Sequence, residues 1–266
     1  VDDIRAHHES RFRAGGVTAI VAGDVSADEA EKIVASALAG WRGGKPPAVT
    51  TVDSPARPTR ALHIVDKPDA QQVELRIGHV GVPRLHDGYF GTTIMNAVLG
   101  GLFSSRINLN LREKHGYTYG ASSRYDWRRQ AGPFSVSSAV QTDATAAATR
   151  EVLAEIDRIR AAEIDDSELS LATSYLDGLF PIRFETAEAI AGALAAMASF
   201  GLPTNYYDTY RPHVRGVTAK DVLTAARTHL HPEALQVLVV GDASKVRGEL
   251  EAMQFGPLTM HEADDL

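Results

Sequence analysis

The amino-acid sequence predicts an α+β fold built on a duplicated unit whose first copy is truncated. Two alternating runs, 117–127 and 133–141, flank Gly132-Pro133 and read as an antiparallel strand pair. Long helical patterns follow them, so strands and helices occur in groups. The end of the chain also repeats its beginning. Asp3, Ile4, Phe12 and VTAIVAGD (17–24) match Asp221, Val222, Leu230 and LQVLVVGD (235–242), each pair 218 positions apart. In both copies a helix leads through a turn to an apolar strand ending in Gly-Asp, then to serine and a second helix. Two copies of a unit of about 200 residues are implied, the usual domain size.

Residues 2–12 space Ile4, His8 and Phe12 four apart, a short amphipathic helix. The apolar run Val17–Ala22, between Gly15-Gly16 and Gly23-Asp24, predicts a buried strand. Ser26 and Glu29 form a capping box for a helix carrying Ile33, Val34, Ala37, Leu38 and Trp41. Residues 1–50 therefore read as the closing part of a first module. Residues 51–60, within a Gly- and Pro-rich stretch, read as a linker. A complete second module is expected over 61–250, and a polar tail over 251–266. Within the module, strands are predicted at 61–65 and 73–82, the second alternating Val73, Leu75 and Ile77. Helices are predicted at 87–99 and 102–114, separated by Gly100-Gly101. Another opens at Thr142 or Asp143 with Val152, Leu153, Ile156 and Ile159 on one face, and two more lie near 166–179 and 186–200. The last should stop at Gly201, with Pro203 beyond it.

With 44% hydrophobic and 23% charged residues the composition is that of a globular chain, not a disordered one. Lys and Arg number 27 against 34 Asp and Glu, a net charge of −7 without basic clusters, which argues against nucleic acid as a partner. No cysteine is present, which removes disulfides, thiolate metal sites and cysteine nucleophiles. The longest apolar stretch, Ala189–Phe200, is too short to span a bilayer, and no signal-peptide pattern opens the chain. Because it starts at Val1 inside a helical pattern, the chain is expected to be a fragment or a processed product. A soluble setting, bacterial cytoplasm or periplasm, is expected.

Ten histidines invite a search for zinc. Neither His-Glu-x-x-His nor its inverse His-x-x-Glu-His occurs. His8-Glu9-Ser10-Arg11-Phe12 has phenylalanine in the second ligand position, and His261-Glu262-Ala263-Asp264-Asp265 sits in the polar tail. His229-x-His231 reads as a surface helix terminus. Serine-hydrolase elbows and phosphate loops are also missing, so no metal or cofactor site is expected in this chain.

One segment combines chemical groups: GGLFSSRINLNLREKHGYTYGASSRY, residues 100–125. Arg112 falls near a helix C-terminus, where a cation suits the dipole. Gly116 permits a chain reversal, and the strand after it returns Tyr117 and Tyr119 on one face. A guanidinium and a phenol converging there can bind a peptide carbonyl or an oxyanion. Equally, Arg112 can cap its own helix while Tyr119 forms a wall.

The stretch SSRINLNLREKHGYTYGASS resembles the second-half signature of the pitrilysin/insulinase zinc peptidases, in particular the branch of the mitochondrial processing peptidase and its bacterial relatives. The closing helix, VAGDVS and next helix resemble the end of that family's zinc-bearing module, so the similarity spans nearly the whole chain. The resemblance implies modules with a mostly antiparallel sheet and helices packed on one face. It implies that zinc is held outside this chain, by the missing half-module or a partner, and that Arg112 and Tyr119 bind substrate and support the transition state. Tyr117 is the alternative to Tyr119. By pseudo-symmetry, Thr92, Met95 and Asn96 stand where zinc ligands would. The implied partners are a peptide or protein substrate and a zinc-bearing module or homologous subunit, as a homo- or heterodimer. Two functions are then expected: the inactive, substrate-binding part of a zinc metalloendopeptidase, or a non-catalytic core subunit of the same fold.

Overall fold

The computed structural model describes residues 1–49, 51, 54, 55 and 57–262. Parts of the expected linker (Val52, Asp53, Ala56) and of the expected tail (Ala263, Asp264, Asp265, Leu266) lie outside the described residues. Two compact units are present, 1–52 with 178–208, and 53–177 with 209–266. The segment 178–208, expected inside the second module, groups with the first 52 residues.

The first unit opens with α1 (Asp2–Arg11) and α2 (Ala27–Ala37). Ser26 and Glu29 form the anticipated capping box, Ser26 accepting from the Glu29 N–H and Glu29 from the Ser26 N–H. Trp41 Nε1–H donates to the Phe12 carbonyl at 3.0 Å. The buried strand expected at Val17–Ala22 does not form: the run pairs with no other strand among the described residues, and Val17 is 41% and Val21 46% exposed. An extended run becomes a strand only when a neighbour takes its N–H and C=O groups. Among the described residues of this unit there is no strand to do so.

The second unit carries one six-stranded sheet. In chain order, β1 (Ala61–Asp66) and β2 (Gln72–Val80) are followed by α3 (Tyr89–Asn96), which runs into a π-helical turn at Ala97–Gly101. Then come α4 (Arg106–Asn108), its π-helical continuation Leu109–Lys114, β3 (Thr118–Tyr125) and β4 (Pro133–Gln141). Four helices follow along the chain: α5 (Thr145–Ala161), α6 (Asp166–Ile182), α7 (Ala187–Phe200) and α8 (Tyr206–Arg215). The chain closes with α9 (Ala219–His229), β5 (Gln236–Gly241), α10 (Ala243–Ala252) and β6 (Leu258–His261). Helix α7 ends as expected at Gly201, in left-handed conformation (φ 68°). Helix α8, not among the helices expected above, runs through Pro212.

The sheet order is β3-β4-β2-β5-β1-β6. The β3–β4, β4–β2 and β2–β5 pairs are antiparallel, whereas β5–β1 and β1–β6 are parallel. Alternation decides the two faces: Val73, Leu75 and Ile77 of β2 are buried, while Glu74 and Arg76 form an exposed ion pair at 2.9 Å. Helices α5 and α10 touch each other and cover the apolar face, where Phe134, Val152, Ile156 and Ile159 are buried. Where a polar tail was expected, Leu258–His261 instead adds β6 to the sheet, because β1 offers it an edge to pair with.

The duplication shows in the order and bounds of the elements. Moved by 218 positions, the 3₁₀ turn Ala14–Gly16 coincides with Pro232–Ala234, and α1 overlays α9. The difference lies in the strand: β5 is sandwiched between β2 and β1, while its counterpart at 17–22 is unpaired.

Arg106 joins α4 to α6 through a two-point contact with Glu168, Nε and Nη2 lying 2.6 and 2.5 Å from the carboxylate oxygens. The carboxylate raises the Arg106 guanidinium above its ordinary range, and Glu168 also accepts the Asp165 N–H at the start of α6. Glu168→Gln removes the charge from a largely shielded pair. It is expected to lower stability by about 1–3 kcal/mol, read as a reduced denaturation midpoint.

Candidate functional site

The segment 100–125 folds as a helix, a reversal and a strand, and each piece is fixed by identifiable bonds. The π-helical turn ends at Lys114, and Gly116 has φ 67°, the left-handed geometry that turns the chain back. The Tyr117 N–H donates to the Leu111 carbonyl at 2.9 Å. Gln141, at the end of β4, pins the turn twice: its N–H donates to the Tyr117 carbonyl and its Nε2 to the Gly116 carbonyl.

This geometry brings Arg112, Tyr117 and Tyr119 to one open cavity of about 370 Å³, shared with Gln72, Glu113 and Gln141. Strict strand alternation is not what unites the tyrosines. Tyr117 precedes β3 and is half-buried, stacked on His115 with ring centroids 4.9 Å apart. Tyr119 sits in a β-bulge, because three steps along β3 (Thr118 to Ala121) oppose two along β4 (Val140 to Ser138). The bulge turns Tyr119 outward, leaving it 90% exposed.

Arg112 does not cap its own helix. Among the described residues its guanidinium lies over the Phe103 ring, 4.6 Å from the centroid, and Nε is 3.5 Å from the Glu113 carboxylate. Arg112 also lines the cavity.

Two asparagines hold the strand in place: Asn108, and the Asn96 that pseudo-symmetry puts opposite a zinc ligand. Asn108 Oδ1 accepts the Ala121 N–H at 3.0 Å while its Nδ2 donates to the Phe103 carbonyl at 2.6 Å. Asn96 Nδ2 donates to the Ser123 carbonyl, and the Ser123 hydroxyl donates back to Asn96 Oδ1 at 2.8 Å. The outer edge of β3 is thus occupied at Ala121 and Ser123, so a peptide cannot add as a strand at these positions. Their signal in the sequence was burial demand: an asparagine with an apolar face around it must find partners.

The positions pseudo-symmetric to zinc ligands have structural roles. Thr92 is buried, its hydroxyl bonded to the Gly88 carbonyl and to His86; Met95 is core; Asn96 clamps β3. Among the described residues no group of three or more His, Cys, Asp or Glu side chains is arranged to hold a metal ion. Thr92, Met95 and Asn96 do not fit zinc.

A mixed six-stranded sheet with helices packed against it defines the class: a module with the fold of M16 peptidase inactive domains. Residues 1–176 match the family model described as the peptidase M16 inactive domain. The chain belongs to that family. It is 23% identical over 253 residues to the Helicobacter pylori protein called non-peptidase homolog YmxG, covering 92% of this chain and 56% of that protein. A peptidase M16 inactive domain from Pseudomonas fluorescens superposes with a TM-score of 0.74 at 26% identity, over 82% of this chain and 52% of that one. A protease from Helicobacter pylori superposes with a TM-score of 0.73 at 15% identity, over 83% and 53%. The chain therefore spans about half the length of the relatives it matches. Among the described residues no helix is long and apolar enough to cross a membrane.

Proposed function

We propose that this chain is the substrate-gripping, metal-free part of a zinc metalloendopeptidase, with zinc, its water and the general base supplied by a second module or homologous subunit. The observation that carries this reading is the state of Arg112: not consumed by helix capping, laid over Phe103 and facing the cavity that Tyr119 also lines. In this role the guanidinium and the phenol donate hydrogen bonds to a substrate carbonyl and to the oxyanion that develops from it. With the β3 edge occupied, the grip comes from these side chains rather than from a strand ladder.

The test is turnover in the assembled enzyme. Arg112→Ala and Tyr119→Phe are each expected to lower kcat/KM about 100-fold, the scale for one oxyanion donor. Tyr117→Phe is expected to have little effect if Tyr119 is the partner and the larger effect if the roles are exchanged. Unchanged rates for all three overturn the assignment. A second reading is a non-catalytic core subunit, favoured by the name non-peptidase homolog carried by the Helicobacter pylori relative. It predicts no peptidase activity when the chain is mixed with a homologue bearing the zinc motif. Under either reading the chain alone purifies without stoichiometric zinc.

A further inference from the structure

Phe103 is a large aromatic side chain left 70% exposed beside the candidate site. Its loop is not loose: the Ser105 N–H donates to the Leu102 carbonyl at 3.1 Å, and Asn108 holds the Phe103 carbonyl. One face of the ring lies under the Arg112 guanidinium. The remainder is exposed, and the Arg112 it carries lines the cavity together with Tyr119.

We infer that Phe103 is the specificity element of this site, holding Arg112 on one face and receiving an apolar side chain of the bound peptide on the rest of its surface. The inference rests on the substrate-gripping reading above. A peptide carbonyl on the guanidinium places the neighbouring side chain within reach of the ring beneath it. A ring that already carries a cation on one face still has apolar edges to cover, and water is the poorer cover. The class of ligand is therefore a peptide with a large apolar residue next to the carbonyl that Arg112 binds. Phe103 acts on Arg112 as a positioning residue: without the ring, the nearest charge left to the guanidinium is Glu113.

Two short capped peptides of equal length, one with Phe and one with Ser at the centre, test this by titration against the full chain. The wild type is expected to prefer the Phe peptide about tenfold, the scale of covering one apolar side chain. Phe103→Ala brings the ratio close to one. Phe103→Leu keeps most of the ratio but weakens both peptides about threefold, since it retains apolar surface and loses the cation–π contact. Arg112→Ala weakens both peptides equally and leaves the ratio intact. A second readout needs no ligand: the Arg112 Hε resonance is shifted upfield by the ring beneath it, and Phe103→Leu abolishes that shift. Undiminished selectivity in Phe103→Ala, or an unshifted Hε in the wild type, overturns this inference alone. Absence of binding by the wild type, or an Arg112→Ala variant that binds like it, overturns the substrate-gripping reading and this inference with it.

Discussion

Gly100→Ala is expected to cost about 3 kcal/mol or more, although alanine is the better helix former by close to 1 kcal/mol. The reason is space, not backbone conformation. A Cβ on Gly100 would stand 2.5 Å from the Ser123 hydroxyl and 2.6 Å from the Ser123 backbone nitrogen. Ser123 cannot retreat. It is 3% exposed, opposes Val136 of β4 and is clamped by Asn96 from the other side. Relief therefore requires the 97–101 turn and β3 to separate, and β3 carries Tyr119 four residues upstream. Gly248, inside α10 with nothing within 4 Å of its Cβ position, is the control. Gly248→Ala is expected to gain about 0.5–1 kcal/mol. Urea midpoints of the two variants should thus move in opposite directions from the wild type.

Much of this corner is legible in the sequence. Arg112, Gly116 and the tyrosines were read as helix end, reversal and returning strand, and all three side chains line one cavity. Local chemistry decides such features: Gly116 at positive φ and the Ser26–Glu29 cap need only their sequence neighbours. What escaped depends on distant partners. The run 17–22 has the composition of its repeat at 235–240, but only the latter has strands beside it. Leu258–His261 looked polar and terminal, yet pairing with β1 makes it a strand. Phe103, Asn96 and Asn108 lie in helical or turn patterns that say nothing of β3, so their hold on Arg112 and on the strand edge emerges only from tertiary structure.

Acid is expected to weaken the fold through His79, and the sign follows from its surroundings. The ring is 6% exposed, packed against Phe134 with centroids 5.1 Å apart, and both nitrogens are engaged. Nδ1–H donates to the Val80 carbonyl at 2.8 Å, while Nε2 accepts the His231 N–H at 3.3 Å. Burial lowers its pKa to about 4, with the neighbouring His231 adding in the same direction against the pull of the Val80 carbonyl. A proton on Nε2 would also turn that acceptor into a second donor facing an N–H. The unfolded chain, with an ordinary histidine near pH 6.5, takes up a proton that the folded chain refuses. Stability is therefore full above about pH 6.5, falls as the pH drops toward about 4, and loses nothing more from this group below that. A depression of this size corresponds to about 3 kcal/mol over the window. His86 and His229, whose pKa values burial also lowers, act with the same sign. Their contribution is removed by comparing the wild type with His79→Gln, which keeps an amide donor and acceptor but does not titrate. The stability difference between the two should shrink by about 3 kcal/mol between pH 7 and pH 4 in denaturant titrations. A difference that stays constant across this range would mean that His79 takes up its proton as readily in the folded as in the unfolded chain, against the burial and the His231 N–H that oppose it.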